Sequence, residues 1–199
     1  MTKIYLIRHA EAEGNLYRRI QGHWDGSITP LGLQQIDALA QRFRREHIDA
    51  LYCSDLSRAR ATAEAITRYH DIPAVTTPRL TEICMGVWED HPWHELNKLH
   101  PEEMYHFNRR VDLWRVEGGE TAQDVLDRYI PALKRVAAEN DGKTIAIFSH
   151  GAAMRMVLGT LNGLPLSQVG ETPHGDNTAV SLLEIDGDDI RVVYMNDNS

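Results

Sequence analysis

Short apolar, β-branched runs alternate with helix starts along this chain, the first of them after a polar loop reaching Ser27, and that alternation limits what it can fold into. Residues 3–7, 49–53 and 143–148 have the length and composition of buried strands. Thr29-Pro30 opens a helix, with threonine as N-cap and proline in the first turn. Ile36, Leu39, Ala40 and Phe43 then recur at helical spacing. Ser54 is expected to cap a helix carrying Leu56, Ala59, Ala63 and Ile66, and residues 74–76 read as another short strand. Thr121 and Asp124 form a variant capping box for a long helix striped by Val125, Leu126, Tyr129, Leu133 and Val136. Residues 151–161 read as a further helix, and 179–185 with 190–195 flank Asp186-Gly187-Asp188 as a hairpin. The pattern implies an α/β three-layer sandwich: a mostly parallel central sheet, helices on both faces and an antiparallel C-terminal edge.

A length of 199 residues suits a single domain spanning 1–199. Residues 83–120 are less regular and read as a helical insertion or lid, with helices expected near 93–100 and 102–114 around Pro101. The 21 basic and 29 acidic side chains give a net charge of −8. Nucleic acid and anionic membranes reward net positive charge, so neither is an expected partner. Affinity for an anionic small molecule must then come from a local cluster of cations. Two cysteines, Cys53 and Cys84, make neither a disulfide framework nor a thiolate metal site. The apolar run at Ile4–Ile7 is broken by Arg8, too early for a signal sequence, and a cytoplasmic location is the expectation.

The chemistry gathers where the strands end. The first strand runs into Arg8-His9, the second into Ser54 with Arg58 soon after, and the 143–148 strand into Ser149-His150-Gly151. In open α/β sheets the carboxyl ends of parallel strands face one ligand-binding crevice. Arginine matches phosphate oxygens two at a time, and histidine serves as nucleophile, acid, base or donor near neutral pH. Taken singly, each of these residues has a plainer reading as a loop start, a surface arginine or a helix N-terminus. A serine-hydrolase element is not supported, because Ser149 lacks the G-x-S-x-G elbow. Together, at strand ends of an acidic protein, they read as a phosphate pocket.

Leu6-Ile7-Arg8-His9-Ala10-Glu11 resembles the RHG signature of the histidine phosphatase superfamily, the phosphoglycerate mutase-like proteins. Asn15, Gln21-Gly22 with Thr29-Pro30-Leu31-Gly32, and the stretch Ser54 to Ala63 resemble further blocks of that family. So do Leu80-Thr81-Glu82 with Gly86-Val87-Trp88-Glu89, Gly118-Gly119-Glu120-Thr121, and Ser149-His150-Gly151. The blocks stand in family order from residue 4 to 151. The resemblance implies that His9 is a nucleophile forming a phosphohistidine, and that Arg8, Arg58, His150 and Asn15 hold the phosphate. It implies that Glu82 protonates the leaving alkoxide and then takes a proton from water, and that no metal is needed. Gln21 and Gly22 are further candidates for substrate contact. Two departures are Ala10, where the family has glycine, and Ala12, where it has threonine. Loss of that hydroxyl implies weaker phosphate holding and a looser loop.

Asp55 and Glu89 read as a helix N-terminal anion and a solvated loop acid. His91, His94, His100 and His106 lack a completing ligand set and read as lid or surface residues. Trp88, Trp93, Trp114, His106, Arg109 and Arg110 are candidates for contact with the rest of a substrate, while the tryptophans read equally as the insertion's own core. The expected activity is a phosphomonoesterase acting on small phosphorylated metabolites, as a monomer or homodimer, without cofactor. The alternative is a cofactor-dependent phosphoglycerate mutase primed by 2,3-bisphosphoglycerate. The mutases of the family are longer after the acid block and at the C-terminus, which favours the phosphatase. An α-ribazole phosphatase and a non-catalytic phosphoester-binding module are lesser alternatives.

Overall fold

Residues 1–199 are described by the computed structural model. Six strands make one sheet: β1 (Thr2–Arg8), β2 (Ala50–Cys53), β3 (Ala74–Thr76), β4 (Thr144–Ser149), β5 (Val180–Asp186) and β6 (Asp189–Asp197). Their order is β3-β2-β4-β1-β5-β6; the first four are parallel, and β5 and β6 are antiparallel additions. The helices are α1 (Glu13–Leu16), α2 (Pro30–Phe43), α3 (Ser57–Thr67), α4 (Trp93–Leu99), α5 (Pro101–Arg109), α6 (Ala122–Glu139) and α7 (Gly151–Leu161). The mostly parallel sheet with an antiparallel C-terminal edge is therefore as the alternation implied.

Alternation along the central strands makes two cores. Ile4, Leu6, Ile145 and Ile147 join Val125, Tyr129 and Leu133 of α6 and Val157 of α7. Ile7, Ala146 and Phe148 point to the other face and join Ile36, Leu39 and Phe43 of α2 with Ala63 and Ile66 of α3. Each fully buried aliphatic or phenyl side chain contributes ~1.5–3 kcal/mol, so the strand period of two locks the register from both sides. Residues from 83–120 enter the first core, with Trp114 wholly buried and Trp88 nearly so. No helix is long and apolar enough to cross a membrane.

Two local expectations are corrected. Helix α5 stops at Arg109, not near 114: Arg110 leaves helical geometry (φ −130, ψ 60) and its guanidinium folds onto Asp112 at 2.9 Å. The chain then turns Val111 and Trp114 into the core. Ser54 does not cap α3, whose N-cap is Leu56. Ser54 Oγ accepts from Leu56 N–H in a local turn, while the Ser57 N–H at the helix start donates to Asp25 Oδ2 at 2.7 Å.

The Thr121–Asp124 capping box is present: Thr121 Oγ1 accepts from Asp124 N–H, and Asp124 Oδ2 accepts from Thr121 N–H. Thr121→Ala should cost about 1 kcal/mol, read as a lower urea midpoint at unchanged slope; no shift would mean that α6 is held by packing alone.

Candidate active site

In the parallel ladder of β1 and β4, Arg8 lies opposite Ser149, and the ladder runs one step further as His9 N–H donates to Ser149 O at 2.9 Å. His9 and His150 thereby leave neighbouring strands side by side, with ring centroids 5.2 Å apart. The His9 ring is buried, and its Nδ1 lies 2.7 Å from Ala10 O. A carbonyl only accepts, so Nδ1 carries the proton and Nε2 is the nitrogen with a free lone pair. Burial first, then the Arg58 and Arg8 guanidiniums, push the His9 pKa well below 6.5 and keep the ring neutral. The same causes, with His9 itself adding to them, do so for His150. Neither ring nitrogen of His150 has a partner, nor do Arg8 Nε and Arg58 Nε, although all four atoms are buried. Ala10 avoids positive φ, so alanine fits there without strain.

Arg58 comes from the first turn of α3 and is wholly buried. Its fork donates to Gly22 O (2.8 Å), Trp24 O (3.0 Å) and Asp25 Oδ1 (3.3 Å). Gly22 sits at φ +54, and a Cβ there would lie 2.3 Å from Glu89 Oε1, so glycine is required on both counts. Thr62 links the first loop to this helix, accepting from Ala10 N–H (2.9 Å) and donating to Arg58 O (2.6 Å).

Glu82 is placed by a helix to which it does not belong. Its Oε1 accepts from Ala153 N–H (2.7 Å) and Ile83 N–H (3.0 Å), and its Oε2 from Ala152 N–H (3.0 Å). The carboxylate thus caps α7, whose own N-cap residue, His150, supplies no side-chain cap. The segment carrying Glu82 is fixed by Arg128, which donates to the carbonyls of Arg79, Thr81 and Glu82 and holds both oxygens of Glu120.

These groups line a pocket of about 370 Å³ that includes Arg8, His9, Asn15, Gln21, Gly22, Arg58 and Glu82, with His150 behind His9. Asn15 Oδ1 accepts from Ala12 N–H at 3.1 Å, leaving the amide NH₂ as its donor. Trp93, Phe107, Ile83 and Met85 give the pocket an apolar wall; Arg18, Asn108 and His174 give it a polar one. Of the other residues picked for substrate contact, Trp88 and Trp114 are core, and His106, Arg109 and Arg110 lie off the pocket. Glu89 is no solvated acid, since its Oε1 accepts from His23 and Met85 N–H. Asp55 accepts from the Thr81 hydroxyl. No three His, Cys, Asp or Glu side chains gather as a metal-ligand set. Sequence reading passed over Asp25, Arg128, Arg155 and His174, because nothing local marks a side chain that acts across the fold.

A six-stranded α/β sheet with paired histidines, the buried Arg58 and the half-buried Arg8 at its carboxyl edge defines a phosphoryl-binding class of protein. The model of the histidine phosphatase superfamily (branch 1) matches residues 4–198, and the chain belongs to that family. It is 36% identical over 168 residues to "Probable phosphoglycerate mutase GpmB" of Yersinia pestis, covering 83% of this chain and 77% of that one. Bacillus stearothermophilus YhfR superposes with a TM-score of 0.95 at 31% identity, over 100% of this chain and 98% of that one. Phosphoserine phosphatase of Entamoeba histolytica, in complex with 3-phosphoglyceric acid, gives 0.87 at 29%, over 100% and 98%.

The buried rings predict a pH-dependent stability. Unfolded, His9 and His150 take up protons near pH 6.5; folded, only at lower pH. The unfolded chain binds more protons below that value, so stability falls as pH drops through it, by up to ~1.4 kcal/mol per pH unit for each ring. Urea midpoints should decline from pH 7.5 to 5.5, less steeply in His150→Asn. An unchanged slope in that variant would show that the ring protonates freely in the folded state.

Proposed function

We propose that this protein is a phosphomonoesterase that hydrolyses small phosphorylated metabolites through a phosphohistidine on His9. The observation that carries the reading is the His9 ring: Nδ1 is committed to Ala10 O, Nε2 is free, and the guanidiniums of buried Arg58 and half-buried Arg8 stand beside it. In the first step Nε2 attacks phosphorus, the P–N bond forms and the ester P–O bond breaks. Glu82, which enters this step as the protonated acid, gives its proton to the leaving alkoxide. In the second step water attacks the phosphohistidine, loses its proton to Glu82, and inorganic phosphate departs with the His9 ring neutral again. Phosphoryl transfer spreads charge over the equatorial oxygens, so positioned donors do most of the work. Arg8, Arg58, His150 and the Asn15 amide are those donors. Arg8, Arg58 and His150 carry buried nitrogens that lack partners, and each such atom costs roughly 1–3 kcal/mol. A phosphate among them relieves that cost.

The likeness to the Yersinia protein named as a mutase supports a second reading, in which the phosphoryl group returns to the product. The two differ in the fate of phosphorylated His9, and hydrolysis needs only that water reach it.

With 3-phosphoglycerate as substrate, free phosphate should appear as fast as the substrate disappears, without stimulation by 2,3-bisphosphoglycerate. Conversion to 2-phosphoglycerate with little free phosphate, stimulated by the bisphosphate, would establish the mutase instead. His9→Ala should lower turnover at least ~10³-fold with the fold intact by circular dichroism; near-normal turnover would exclude the mechanism. Excess EDTA should leave the rate unchanged, and a loss restored by zinc or magnesium would overturn the metal-free chemistry.

A further inference from the structure

Arg155, in the middle of α7, is nine-tenths buried and has no carboxylate within ion-pair reach. Burying a guanidinium without a counter-ion is costly unless its donors are met. Here Nε donates to Thr172 O at 2.9 Å, Nη2 to Asn108 O at 2.9 Å and to Gly170 O, and Nη1 to His174 Nε2 at 3.2 Å. The arginine therefore gathers the end of α5, the 3-10 turn Val169–Glu171 and the loop after it into one wall of the pocket.

The contact with His174 also decides that ring's chemistry. A guanidinium cannot accept a hydrogen bond, so Nε2 is the lone-pair nitrogen and the proton lies on Nδ1. Although the residue is exposed on its outer side, the protein around it, then Arg155 and Arg8, push its pKa down to about 4. The ring that lines the pocket is thus neutral, with Nδ1–H its one uncommitted polar group. Asn108, Trp93 and Phe107 line the same pocket. A cavity near 370 Å³ lies at the small end of the ~300–1,000 Å³ typical of ligand pockets, which fits a phosphoester of a few carbons.

We propose that His174 is a specificity-determining residue, donating its Nδ1–H to an acceptor oxygen on the alcohol portion of the substrate, with Arg155 as the positioning residue that fixes its tautomer. The proposal rests on the phosphoester reading of the pocket, and it names the substrate class: short phosphoesters bearing a hydroxyl or carboxylate beyond the ester, in preference to plain alkyl phosphates.

The test reads binding without turnover. In the His9→Ala background, calorimetric titration compares glycerol 3-phosphate and 3-phosphoglycerate with propyl phosphate, which lacks the acceptor. The oxygenated esters should bind ~3- to 10-fold more tightly, the range expected of one neutral hydrogen bond. Adding His174→Leu should bring the ratio close to one, and adding His174→Asn, another neutral donor, should hold it within twofold. The ester that carries the ratio distinguishes a hydroxyl from a carboxylate acceptor. In long-range ¹H–¹⁵N spectra, His174 should show the Nδ1–H tautomer in the wild type and lose that bias in Arg155→Lys. An absent preference, a ratio untouched by His174→Leu, or an Nε2–H tautomer would overturn the proposal. Failure of the wild type to release phosphate would count against the hydrolase reading alone, since binding is scored separately.

Discussion

The ladder between β1 and β4 sets the position of the groups that face the pocket. Parallel pairing of Arg8 with Ser149 puts His9 and His150 one residue past the same edge of the sheet, on adjacent strands. β2 flanks β4 on its other side and delivers α3 with Arg58. Residues 141 positions apart in the chain become neighbours because two apolar strands share a register, and that register is held by side chains buried on both faces. A slip of one residue would turn every apolar side chain of β1 to the wrong core and pull Arg8 away from His150.

Charge in the pocket is concentrated and kept available. The chain carries a net −8, yet Arg8 donates to Gly175 O and Arg58 mainly to the carbonyls of Gly22 and Trp24, with Asp25 at a longer 3.3 Å. Carbonyl partners orient a guanidinium without cancelling its charge. Full carboxylate pairing would hold the arginines more cheaply and leave less field for a phosphate. Burial first, and then the same guanidiniums, keep the two histidines neutral.

Much of this was legible in the linear order of residues. Strands betray themselves by short β-branched runs, and Arg8-His9, Arg58 and His150 stand where those runs end, so topology alone makes them converge. The Thr121 capping box was equally readable, being confined to four consecutive residues. What escaped reading acts across long separations. Asp25 meets the start of α3 from 32 residues away, Arg128 clamps the Glu82 segment from 46, and Arg155 holds His174 from the far side of a loop. Ser54 looked like a cap because its chemistry is right for one, but Asp25 already takes the Ser57 N–H. Trp114 reaches the core through the turn after α5, which no periodicity announces.

The helix ends tie stability to the site. Both α3 and α7 lack a side-chain cap of their own and take one from a distant acid, Asp25 for α3 and Glu82 for α7. A local cap would satisfy the same N–H groups from a serine or aspartate at the helix start. His150 occupies that position in α7, and its ring is directed to His9 rather than to its own backbone. The donors left over are met by Glu82, so the helix dipole and the carboxylate hold one another in place. The carboxyl group that borders the pocket is therefore also a structural group of α7. His9, His150, Arg8 and Arg58 leave buried atoms unpaired or charges crowded, whereas Glu82 returns three hydrogen bonds to the fold. An acid anchored this way stays registered to the histidine beside it, because any shift of α7 carries His150, its N-terminal N–H groups and Glu82 together.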